Sequence, residues 1–174
     1  TLQRGNFQLQ QAEYFELVGM KTAELFALAC ALGARLASAK PAAETALREY
    51  GEQLGTAYQI YDDCVDVFGA EAIAGKTLGT DLATGKATLP VLLALENTDD
   101  AGCKAWLAML KDGEAQAEAI RERLVSDDIP AACRDVVTGY ISNAKAAVED
   151  LPTGNEPLLA LTDCLTHQLD SLDA

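Results

Sequence analysis

Apolar residues recur at three- and four-residue steps along almost the whole chain, alanine and leucine are abundant, and β-branched runs are short, a pattern that predicts an all-α protein. The first predicted helix spans Gln11 to Ala39, with Tyr14, Leu17, Leu25 and Leu32 on related faces. It stops at Lys40-Pro41, because the residue before a proline is pushed out of the helical region. Lys21-Thr22 falls in its middle, so the lysine is expected amid an apolar face. A second helix starts at Ala42 and ends near Gly69, with Leu47, Tyr50, Leu54, Tyr58, Tyr61 and Val65 as its core-facing stripe. Residues 70–87 hold Gly75, Gly79 and Gly85 beside Lys76, Asp81 and Lys86, too many glycines for a helix throughout, and are expected as a loop. Beyond it come helices at Thr88–Glu96, with Pro90 in the first turn, and at Ala101–Lys111, Glu114–Ser126, Ala131–Glu149 and Pro157–Leu172. The connections are short and polar, and there is no internal repeat. One antiparallel helical domain over residues 1–174 is therefore expected.

Composition narrows the function more than the fold. With 13 basic against 27 acidic residues the net charge is −14, and no Lys/Arg stripe exists to displace counterions, which excludes general nucleic-acid binding. No run of about eighteen uncharged apolar residues occurs, and the N-terminus lacks signal-peptide character, so a cytoplasmic protein without a transmembrane segment is expected. Five scattered cysteines without a C-x-x-C pair argue against a disulfide framework or structural zinc and are expected to be mostly small core residues. The single histidine, His167, has no cysteine or acidic cluster at ligand spacing and is given no role.

Three Asp-Asp pairs separate chemistry from punctuation. Asp99-Asp100 follows Asn97-Thr98 before a helical segment, and Asp127-Asp128 lies between Ser126 and Pro130. Both fit helix caps and first turns, where carboxylates satisfy unpaired N–H groups. Asp62-Asp63 falls mid-helix, and Asp66 completes D-D-x-x-D. Asp62 and Asp66 are then about 6 Å apart along the axis on one side. Two charges that close repel by roughly 3 kcal/mol at an effective dielectric of about 20, so partial burial needs a counter-charge. Mg²⁺ is the natural one, since it accepts one or two carboxylates and fills its other positions with water and phosphate oxygens. The competing reading is a solvated acidic edge. Gly51, Gly55 and Gln59 lead into the aspartates at four-residue steps; each glycine costs a helix about 1 kcal/mol, which suggests close helix packing or room for a ligand. The Gly-Lys-Thr of GAEAIAGKT is not a nucleotide-binding phosphate loop, because five residues rather than four separate Gly69 from Gly75 and no strand precedes it.

The helix YGEQLGTAYQIYDDCVDVFG, the following GKTLGTDLATGKATLPVLLALE and the upstream EYFELVGMKTAELFALACALGA resemble the trans-isoprenyl diphosphate synthases, or polyprenyl synthetases, in order and spacing from Asn6 to Glu96. The resemblance implies an isoprenoid-synthase helical bundle. It also implies Mg²⁺-dependent condensation of an allylic prenyl diphosphate with isopentenyl diphosphate. Asp62, Asp63 and Asp66 would hold Mg²⁺, with Asp62 the closest ligand. Lys21 and Lys76 would contact the allylic diphosphate, making these two lysines and Asp62 the catalytic set. Thr22 and Gln59 would line the cavity near the reacting carbon, and Lys86 and Asp81 match the loop that closes over substrate. The family carries another D-D-x-x-D earlier in its chain, with a lysine and arginines for isopentenyl diphosphate, and none of these occurs here. The chain, starting at Thr1, is therefore expected to be a C-terminal portion, inactive alone and a homodimer when complete. A class I terpene or squalene-type synthase, or a non-catalytic or regulatory subunit of the same fold, remains an alternative.

Overall fold

The computed structural model describes residues 7, 9–69 and 77–173, and every regular element among them is helical. Helix α1, Gln11–Val18, passes without a break through a π-helical turn, Gly19–Ala23, into α2, Glu24–Leu36. The inward residues of this run are Tyr14, Val18, Ala23, Ala27, Ala31 and Ala34. An α-helix repeats its inward face after three or four residues, whereas Val18 to Ala23 is a step of five. The wide turn absorbs the extra residue. The face predicted from an unbroken helix is therefore corrected. Lys21 is exposed rather than set amid apolar residues, and Leu25 and Leu32 are 67% and 47% exposed. The helix also ends before Ala39. Ser38 adopts a left-handed φ of 55°, with its N–H on the Arg35 carbonyl at 2.9 Å and the Ala39 N–H on the Ala34 carbonyl at 2.9 Å, a Schellman-type close. By length and composition alone the run Gln11–Leu36 is apolar enough to cross a membrane, a property that core helices share. Glu13, Glu16, Lys21, Glu24 and Arg35 interrupt it, which is why a search for unbroken apolar sequence passes it over.

Helix α3 is Pro41–Phe68. Tyr50, Leu54, Ala57, Ile60, Cys64 and Val67 are buried along it, and so is a second row, Gly51, Gly55, Gln59 and Asp63. Tyr58, expected in the core, is 44% exposed. The glycines explain the rotation. A Cβ at Gly51 would lie 2.5 Å from the Phe26 carbonyl oxygen, and one at Gly55 would lie 2.8 Å from the Ala23 Cα, so α2 packs directly on the glycine face. Tyr58 lies instead against the Phe26 ring, 5.8 Å between centroids. Close packing, not room for a ligand, accounts for both glycines.

Then follow α4, Thr80–Ala83, a short helix inside the segment expected as loop, and α5, Leu89–Glu96. The remaining helices are α6, Asp100–Leu110; α7, Gly113–Ser126; α8, Ile129–Glu149; and α9, Glu156–Asp170, closed by a 3-10 turn. Each starts within two residues of its predicted position. Two compact units emerge. One comprises residues up to Tyr14 with Asp62–Arg134 and has a core of Leu89, Val91, Trp106, Ile120, Leu124 and Ile129. The Arg123 guanidinium covers the Trp106 ring at 4.3 Å, and Gly113 lets the start of α7 abut the Leu82 carbonyl, which fixes α4 in place. The other comprises Phe15–Tyr61 with Asp135–Ala174. There the Tyr50 hydroxyl donates to the Leu158 carbonyl at 2.8 Å and ties α3 to α9.

Candidate functional site

The carboxylates of α3 are held by hydrogen bonds from three directions. Asp63 is 2% exposed; its Oδ2 accepts from the Tyr14 hydroxyl at 2.8 Å and its Oδ1 from Lys86 Nζ at 3.0 Å. Asp66 is 6% exposed; its Oδ1 accepts from the Thr80 hydroxyl at 3.0 Å and its Oδ2 from the Asp81 N–H at 2.8 Å. Its backbone carbonyl accepts from the Gly79 N–H at 2.8 Å, and Gly79 itself needs the left-handed φ of 75° that glycine adopts without cost. Lys86 also donates to Asp81 Oδ2 at 2.7 Å, while its N–H bonds the Asp81 carbonyl at 2.8 Å. Asp62 is half-buried.

Charge and burial act together on this cluster. Burial pushes the Asp81 carboxyl up; the hydrogen bond and charge of Lys86 pull it back, and the negative charges of Asp63 and Asp66 push it up again. For Lys86, burial alone would lower the ammonium, but the Asp63 charge and the hydrogen bonds to Asp81 and Asp63 outweigh it and raise it. The two shifts are compatible because Lys86 answers two carboxylates, whereas Asp81 also feels the repulsion of two others. The Tyr14 phenol is pushed up by burial first, then by the adjacent Asp63 charge, so it remains a proton donor to that carboxylate. Behind Asp63, the Cys64 thiol is raised by its hydrogen bond with Cys133 and by burial, which keeps it protonated. These two are the fully buried cysteines; Cys30 and Cys103 are half-buried and Cys164 is exposed, so the expected core role holds for a minority.

In the other unit, the Thr22 hydroxyl donates to Gln59 Oε1 at 2.6 Å, joining two of the expected site residues. Lys21 stands exposed on the π turn one residue earlier. Lys76 lies outside the described residues. Sequence reasoning missed Tyr14 and Thr80 as partners of the aspartates. A tyrosine at an inward helix position seeks a polar contact for its hydroxyl, so Tyr14 carried a readable signal; Thr80 carried none.

Among the described residues, no three His, Cys, Asp or Glu side chains converge as a ready-made metal cage. Mg²⁺ in general uses one or two carboxylates and keeps water and phosphate in its other positions, so it does not require such a cage. Each oxygen of Asp63 and Asp66 already accepts a hydrogen bond.

A sequence profile of the polyprenyl synthetase family matches residues 1–127, and the chain belongs to that family. It is 31% identical over 175 aligned residues to a geranylgeranyl diphosphate synthase of Mycobacterium tuberculosis, covering 96% of this chain and 48% of that protein. Against a geranylgeranyl diphosphate synthase of Methanosarcina mazei it is 35% identical, covering 90% of this chain and 44% of the relative. The crystal structure of a Caulobacter crescentus polyprenyl synthase complexed with calcium and isoprenyl diphosphate superposes with a TM-score of 0.82 at 34% identity, covering 98% of this chain and 52% of that one. The chain spans about half the length of these relatives, and its all-α fold is the corresponding part of theirs.

Proposed function

We propose that these residues form the second aspartate-rich half of a prenyl diphosphate synthase active site, whose complete protein condenses an allylic prenyl diphosphate with isopentenyl diphosphate. The observation that carries the reading is Asp62-Asp63-x-x-Asp66 on a buried helix inside the segment that matches the polyprenyl synthetase family. A relative crystallised with calcium and isoprenyl diphosphate supports a divalent cation and a diphosphate as the ligands. Bound Mg²⁺ would supply positive charge to the departing diphosphate. Asp62 would hold the cation, with Asp63 beside it. Lys21 and Lys76 neutralise diphosphate oxygens as the allylic C–O bond breaks, Lys86 keeps the aspartates in place from the loop side, and Thr22 and Gln59 orient the reacting end. The double bond of isopentenyl diphosphate then attacks the allylic carbon, and loss of a proton completes the longer chain. Relatives of comparable identity are named for geranylgeranyl and nonaprenyl products, so the shared segment serves chemistry common to different lengths.

The complete enzyme is read as a cytoplasmic homodimer, a compartment that suits five unbridged cysteines. The 174 residues alone are read as inactive. Incubation with Mg²⁺, isopentenyl diphosphate and geranyl diphosphate should give no elongation from this chain and robust elongation once the other half of a synthase is joined to it. Elongation by the chain alone would overturn the half-site reading. Failure of the joined protein, with its fold intact, would overturn prenyl transfer itself.

A further inference from the structure

We infer that Asp66 is a positioning residue, which acts by latching the segment Gly79–Lys86 to α3 and does not serve as a metal ligand. Three bonds converge on this one residue from consecutive positions: the Gly79 N–H on its carbonyl, the Thr80 hydroxyl on Oδ1 and the Asp81 N–H on Oδ2, at 2.8, 3.0 and 2.8 Å. Both carboxylate oxygens point into that segment, and the side chain is 6% exposed. The latched segment then places Asp81, whose carboxylate and carbonyl accept from Lys86, and Lys86 carries the contact on to Asp63 at 3.0 Å. The third aspartate of the motif thus sets the position of the lysine that neutralises the second.

The chemistry of the latch allows a test that metal ligation would fail. In Asp66→Asn, the amide oxygen can still accept from the Asp81 N–H, and the amide nitrogen can donate to the Thr80 hydroxyl, which reverses its role from donor to acceptor. Asn therefore keeps the latch and removes the anionic ligand, whereas Asp66→Ala removes both. Hydrogen exchange of the Asp81 amide in the full 174-residue chain should accelerate about tenfold or more in Asp66→Ala, and change less than about threefold in Asp66→Asn. Binding of Mn²⁺ with inorganic diphosphate, followed by calorimetry, should weaken more than about tenfold in Asp62→Asn and less than about threefold in Asp66→Asn.

Unchanged Asp81 exchange in Asp66→Ala would overturn the latch. So would an Asp66→Asn chain that loses Mn²⁺ and diphosphate as fully as Asp62→Asn while Asp81 stays protected. The metal arm rests on the proposed function, and the exchange arm does not. A wild-type chain that never binds Mn²⁺ with diphosphate would count against that function and leave the exchange result to decide the latch.

Discussion

The dipeptide Asp-Asp occurs at Asp62-Asp63 and at Asp99-Asp100, and the two copies differ in almost every physical respect. Asp99 is exposed, sits in extended backbone before α6 and accepts from the Gly102 N–H at 2.8 Å, as an N-cap does. Asp63 is buried mid-helix, where no N–H of its own helix needs it, and is held by a tyrosine and a lysine distant in sequence. One carboxylate completes local backbone structure; the other obliges separate segments to converge on it. The third pair, Asp127-Asp128, is punctuation of another kind. Asp127 closes α7, and Asp128 turns the chain with a φ of 58° before α8.

The largest expected effect separates chemistry from capping. In a complete synthase carrying these residues, Asp62→Ala should lower diphosphate release by about 10²–10³-fold with little change in melting temperature, while Asp99→Ala leaves the rate alone. Steady-state release assays on the two variants check this, and equal small losses would return Asp62 to a solvated acidic edge.

Next comes Lys86→Met, which strands Asp63 and Asp81 without their cation and should cost about 3 kcal/mol in urea unfolding at neutral pH. In the unaltered chain the lysine's folded-state value is raised, so its contribution is complete below the ordinary 10.5 and is lost as pH rises through the folded value. Asp81, also raised, works the same way at the acid end. The stability it confers is complete below its ordinary 3.8 and is given up as pH climbs through its folded value. Smaller again is the cap. Asp99→Ala should cost about 1 kcal/mol. The smallest effect belongs to Asp127→Ala, within about 0.5 kcal/mol, because its contact to Arg123 is exposed and 3.6 Å long. A loss at Asp127 equal to that at Lys86 would erase the distinction between buried network and surface punctuation.

Helix type and approximate limits were readable because spacing, prolines and caps act locally. So was the abnormality of Asp62-Asp63, since no cap explains carboxylates in mid-helix. What could not be read was which residues answer them. Tyr14 lies 49 positions before Asp63 and Lys86 lies 23 after it, and only tertiary packing brings either one near. The side chosen for Tyr58 failed for a related reason. Two glycines outweighed Tyr58 once α2 lay against them, which periodicity counted within a single helix does not weigh.

The π turn at Gly19–Ala23 gives the first helix one residue more than its two inward stripes require. Deleting a residue from a helix ordinarily swings everything beyond it by about 100° and ruins the fit. Here, removing the exposed Met20 would bring Val18 and Ala23 back to a four-residue separation, so an ordinary helix could keep both stripes facing inward. An alignment of this helix against a relative lacking the bulge would accordingly need a one-residue gap immediately before Lys21-Thr22. Such a gap would mark a place where the chain can lengthen without refolding.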